Sequence, residues 1–177
     1  MQMTSMGVVN RKIDSSIITE LNTATQDTGA AVPASLALVM RALTILGNNT
    51  VPMDGNICAV ITPAFYAYLM QTTEFASADF VNNKPFVSGA TMFRWAGVNW
   101  TVHPNLPGAG TVAEKTFMWH RSAVGHAVNT GGIDSRVGYD EEQDYSFART
   151  SIYMGSKLLQ ADGVVIMNHD GSAYVAE

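Results

Sequence analysis

Between Pro33 and Leu69 the apolar residues change their spacing twice, and no other stretch limits the possible folds so tightly. Leu36, Val39, Met40, Leu43 and Leu46 recur at helical spacing behind Pro33, which suits a first helical position, and Gly47 offers a left-handed stop. After the turn-prone stretch 48–55 comes the unbroken apolar run 57–61, which has the length and character of a buried strand. Thr62 can then cap, and Pro63 open, a second helix with Phe65, Tyr68 and Leu69 turned inward. Helix, strand and helix in about forty residues call for helices packed on a sheet.

The flanking segments supply the remaining strands. Upstream, Asp14 is a candidate N-cap for a helix carrying Ile17, Ile18 and Leu21 on one face, and 22–29 is polar. Downstream, 75–85 reads as a polar loop with aromatic anchors. From Gly89 the period falls to two: 92–95, then Val98, Trp100 and Val102 alternating with Asn99, Thr101 and His103, predict two short strands around Gly97. The stretch 103–110, with two prolines and two glycines, is a loop, and 116–119 is a strand. Ser122 can cap one or two turns of helix through Val128, 140–144 is acidic and solvated, and Tyr145, Phe147, Ile152 and Met154 form a semi-alternating run. A last apolar strand, 164–167, follows the Asp162-Gly163 turn. The expected class is α+β with a mixed sheet.

Composition excludes several functions. A hydrophobic fraction of 47% rules out a disordered chain, and the absence of an apolar run of about 18 residues rules out a spanning helix. Residues 1–12 lack the pattern of a secretory signal, so no export is expected. A net charge of -5 leaves little for counterion-release binding to nucleic acid. One cysteine, Cys58, excludes an intrachain disulfide and any cysteine-based zinc cluster. Charged residues make up only 14%, against about 25% in ordinary soluble chains, which argues that part of the surface is covered by other protein.

No catalytic constellation stands out. The sequence has no nucleophile elbow, no phosphate-binding loop ending in Lys-Ser/Thr and no His-Glu-x-x-His pair. His120 and His126 are six residues apart, off a common helical face, and neither has a carboxylate three or four residues away. Cys58, inside the run 57–61, reads as a small buried hydrophobe. Trp95, Trp100 and Trp119 all fall on expected strands and read as core. The acidic residues 140–144 lack the glycine and alternating ligands of a calcium loop and read as a solvated rim able to meet a basic patch on a neighbouring copy.

The order of segments resembles the central part of tailed-phage major capsid proteins of the HK97-like fold. The resemblance rests on the helix 34–46 followed by Asn49-Thr50-Val51-Pro52-x-x-Gly55, the strand 57–61, and Thr62-Pro63-Ala64-Phe65-Tyr66-x-x-Leu69. It continues through 89–94, Ala96-Gly97-Val98, Asn105-Leu106-Pro107 and His120-Arg121-Ser122-Ala123-Val124-Gly125, and ends with Gly155-Ser156-Lys157-Leu158-Leu159 and Gly163-Val164-Val165. It implies a non-enzymatic, cofactor-free structural subunit that self-assembles through hexamers and pentamers into an icosahedral shell. The shell would form in the bacterial cytoplasm and reside in the virion, touching packaged DNA only non-specifically and no membrane. Scaffold, portal or decoration proteins are further partners implied.

Relative to the family, the N-terminal arm, extended hairpin and most of the spine helix before Arg11 are missing, so a fragment is expected and covalent crosslinking is not carried over. The implied division is 1–30 as a remnant of the peripheral domain, 31–145 as the axial domain and 146–177 as strands returning to the peripheral domain. Candidate intersubunit charges are Lys84, Arg94, Arg121 and Arg136 against Glu141 and Glu142, with loops 75–84 and 105–113 near the symmetry axis. Two other readings remain: a small metal-assisted hydrolase using His120 and His126, and another phage head or tail module.

Overall fold

The computed structural model describes residues 2–76 and 92–174. At its centre lies the predicted helix, strand and helix. Helix α2 (Leu36–Asn48) begins later than Pro33 because Ser35 supplies the cap: its hydroxyl accepts from the Leu38 amide at 3.4 Å. Its end also differs from expectation. Gly47 remains helical, the Asn49 amide bonds back to the Ile45 carbonyl, and the left-handed position falls on Thr50 at φ 58°. Strand β2 (Ile57–Ile61) and helix α3 (Pro63–Met70) have the expected bounds, with Thr62 accepting from the Phe65 amide at 3.1 Å. Phe65 and Leu69 are fully buried, whereas Tyr68 is half-buried.

The main sheet has six strands in the order β1-β10-β5-β2-β4-β3. Its members are β1 (Gln26–Asp27), β2, β3 (Met92–Trp95), β4 (Val98–Val102), β5 (Glu114–His120) and β10 (Val164–His169). Pairs β1–β10 and β2–β4 are parallel and the rest antiparallel, so the sheet is mixed as expected. The predicted turn between β3 and β4 places both Ala96 (φ 52°) and Gly97 (φ 76°) in the left-handed region, the geometry that matches the twist of a two-residue hairpin.

Strand alternation sends neighbouring residues to opposite faces. One face joins α2, α3 and α4 (Thr73–Ala76) in a core of Leu38, Val39, Leu46, Phe65, Trp100 and Met167, among others. The other face, with Val60, Phe117, Val164 and Ile166, is covered by Ile18 and Leu21 of the N-terminal helix α1 (Gln2–Leu21). Trp95 and Trp100 lie in the first core, and Trp119 packs at the margin of the second. Cys58 departs from expectation: it is only half-buried, and burial raises its thiol pKa.

Helix α1 (Gln2–Leu21) is longer than its expected start at Asp14 allows. Val9, Ile13 and Ile17 extend the inward stripe by steps of four, leaving Asp14 on the exposed side of mid-helix. The segment after Ser122 also differs. Only a 3₁₀ turn forms (Arg121–Ala123), capped by His120, and the chain then continues as β6 (Val124–Val128). Its partner is β9 (Met154–Leu158), and beyond this pair β7 (Asp134–Asp140) meets β8 (Tyr145–Ser151). Residues 124–158 therefore make one long two-stranded ribbon. Its base is fixed to α1: Ser16 donates to Ser156 at 3.0 Å, and the Leu158 amide donates to Glu20 at 3.2 Å.

Candidate subunit interface

The charged residues singled out in the sequence fall into two places. Arg94 and Arg121 lie at one end of the main sheet, around the loop before β2. The Arg94 guanidinium lies over Gly55, and the Arg121 amide donates to the Asn56 carbonyl at 3.1 Å. In the same loop Asp54 accepts from both the side chain and the amide of Asn56, which lowers its pKa to about 2, and His120 stands 3.2 Å away. Lys84 lies outside the described residues.

Arg136, Glu141 and Glu142 are all on the ribbon. Arg136 is exposed on β7 and pairs with Asp134 at 3.1 Å. Glu141 and Glu142 occupy the turn, where Asp140 accepts from the amides of Glu142 (3.0 Å) and Gln143 (3.3 Å) and Asp144 takes a left-handed conformation. Residues that sequence reasoning passed over complete the surface. Arg149 stands directly opposite Arg136 in the β7–β8 register, although the two are far apart along the chain. Phe147 faces Gly138, with Tyr145 next to it at a ring separation of 6.4 Å. Only the strand pairing reveals this grouping.

A second unforeseen cluster is internal. Glu114, 1% exposed at the start of β5, accepts from the Thr62 hydroxyl and the Gly110 amide, both at 2.6 Å. Beside it, fully buried His169 donates through Nδ1 to the Val32 carbonyl at 3.2 Å, and its Nε2 has no hydrogen-bond partner and lies 3.7 Å from Glu114 Oε2. Burial lowers the His169 pKa, outweighing the attraction of Glu114 and Asp170. Gly171 closes over the carboxylate so tightly that a Cβ there would collide with it. With no access for substrate, this cluster ties the start of α3, the loop before β5 and the end of β10 together.

The histidines considered for metal chemistry are separated by their partners. His120 bonds Ser122 and Asp54, whereas His126 bonds Ser156 on the ribbon. Among the described residues, no group of three or more His, Cys, Asp or Glu side chains is placed to hold a metal ion.

A helix-flanked mixed sheet continued by a ribbon along a long helix is the architecture of HK97-like capsid subunits. Superposition on a chain of Mycobacterium phage Che8 gives a TM-score of 0.74 at 18% identity, covering 93% of this chain and 61% of that one. The capsid structure of cyanophage P-SCSP1u gives 0.62 at 14% identity, covering 93% and 62%. The holo-SrpI encapsulin complex of Synechococcus elongatus PCC 7942 gives 0.66 at 14% identity, covering 99% and 67%. The chain thus spans about three fifths of the length of the first two. No curated protein matches significantly. The family model of phage capsid proteins matches residues 1–171, and the chain belongs to that family.

Proposed function

We propose that this chain is the shell-building part of the major capsid subunit of a tailed bacteriophage or prophage, a structural protein that assembles with copies of itself into an icosahedral shell around DNA. The family match over 1–171 carries this reading, and the HK97-like fold supports it. The work is done by repeated contact area: heterologous contacts close rings, and modest individual contacts add up round a shell. In this reading the helix-covered sheet is the axial part. The ribbon 124–158 belongs with α1 in the peripheral part, because the two are hydrogen-bonded, in place of a division at residue 145 that would cut the β7–β8 pair.

Arg94 and Arg121, at one end of the sheet, are proposed to face neighbours within a ring, as is Lys84. Arg136, Glu141 and Glu142 are proposed to meet neighbours through the ribbon. The protein would reside in the virion after assembly in the bacterial cytoplasm, with scaffold, portal or decoration proteins as further partners and only non-specific contact with DNA. Sedimentation of the protein expressed from its natural reading frame tests the proposal. Material of shell or ring size is expected, and a monomer under every condition would overturn it.

A further inference from the structure

The outer ribbon is poorly supported by its own chain. An isolated two-stranded ribbon is marginal in water, yet among the described residues β7 and β8 pair only with each other, with β8 also approaching α1, and they expose Val137 (64%), Tyr139 (56%), Tyr145 (47%) and Phe147 (40%). One face carries an unfavourable feature. Arg136 and Arg149 are directly opposed, like charges in that position repel, and among the described residues Asp134 pairs only with Arg136. Among the described residues Arg149 has no ion pair, and the two guanidiniums border a cleft of about 430 Å³ that also touches Asn129, Gly132 and Tyr153. Asp134 lines the same cleft, so a single carboxylate faces two guanidiniums there.

The same ribbon carries carboxylates that no cation meets among the described residues. Asp140, Glu141, Glu142 and Asp144 crowd the turn, and Glu141 and Glu142 have no cationic partner among the described residues. Along one face the order is therefore arginine notch, Phe147 over Gly138, Tyr145, acidic tip. At the rise of a β-strand, Arg136 and the start of the turn at Asp140 are about 13 Å apart, too far for notch and tip to satisfy each other within one chain. A two-fold axis at the level of Tyr139 solves this. It lays each tip on the other copy's notch and each Tyr145 on the other copy's Phe147, as an isologous contact requires.

Resting on the capsid reading, we infer that the ribbons of two copies pair antiparallel through this face, with Glu141 and Glu142 of each seated between Arg136 and Arg149 of the other. A phosphate backbone is the other anion such a notch could hold. The five carboxylates on the same ribbon and the net charge of -5 oppose it.

The test is sedimentation velocity at low salt on the chain and two charge reversals, Arg149→Glu and the double variant Glu141→Lys/Glu142→Lys. Each reversal alone should weaken self-association by at least about tenfold, as expected of a broken interfacial charge pair, and an equimolar mixture should regain wild-type association. Arg149→Gln should fall between, and unchanged circular dichroism of all variants excludes misfolding as the cause. The inference is overturned by a wild-type chain that stays monomeric, by reversals that associate like the wild type, or by a mixture that gains nothing. Retention of linear duplex DNA that Arg149→Glu abolishes, with association unchanged, also overturns it. Shells formed equally well by Arg149→Glu would remove the ribbon contact and leave the capsid reading intact, whereas absence of shells from the wild type would remove the capsid reading.

Discussion

Glu114 follows Ala113 and precedes Lys115, a context that reads as exposed surface, yet it is buried and satisfied by Thr62 and Gly110. Breaking such a cluster costs more than the cluster contributes, because the groups left behind remain buried and unpaired. Glu114→Ala should therefore lower unfolding stability by roughly 3 kcal/mol, read from urea denaturation. His169 beside it adds a pH dependence. Its folded pKa lies below 6.5, so the unfolded chain takes up the proton first, and stability falls as pH drops below the unfolded value. The urea midpoint should decline as pH falls through about 6.5, and His169→Gln should flatten that part of the slope. An unchanged slope would show that His169 titrates alike in both states.

At the scale of elements, what was legible in the sequence is what local chemistry decides. Thr62-Pro63 sets the start of α3, and the alternation around Trp100 sets β4, because caps, turns and two-residue periods act within a few residues. Segments decided at a distance were not legible. Val124–Val128 is a strand because β9, about thirty residues later, pairs with it; without that partner, Ser122 looks like a helix start. The proposed interface divides in the same way. Arg136, Glu141 and Glu142 could be chosen as exposed charges, whereas Arg149 joins them only through the hairpin register. The β3–β4 turn permits a direct test of local chemistry. Ala96 bears a left-handed backbone that costs an L-residue energy, so Ala96→Asn, giving Asn-Gly in a two-residue hairpin, should raise stability by about 0.5–1 kcal/mol by thermal unfolding. Destabilisation would mean that the turn's conformation is set elsewhere.

For the whole molecule, the proposed contact between copies would account for both the 14% charged fraction and the large exposed side chains of the ribbon. Neither feature alone distinguishes a shell subunit from any other oligomer. Joined to a family match over 1–171 and an HK97-like fold, they support the proposal that neighbouring copies complete this subunit. The most direct measurement is electron microscopy of the protein expressed from its natural reading frame and purified without denaturant. Closed shells or ring-shaped capsomers are expected, with this chain's helix-covered sheet around the symmetry axes. Fields of monomers alone, under all conditions of salt and concentration, would contradict it.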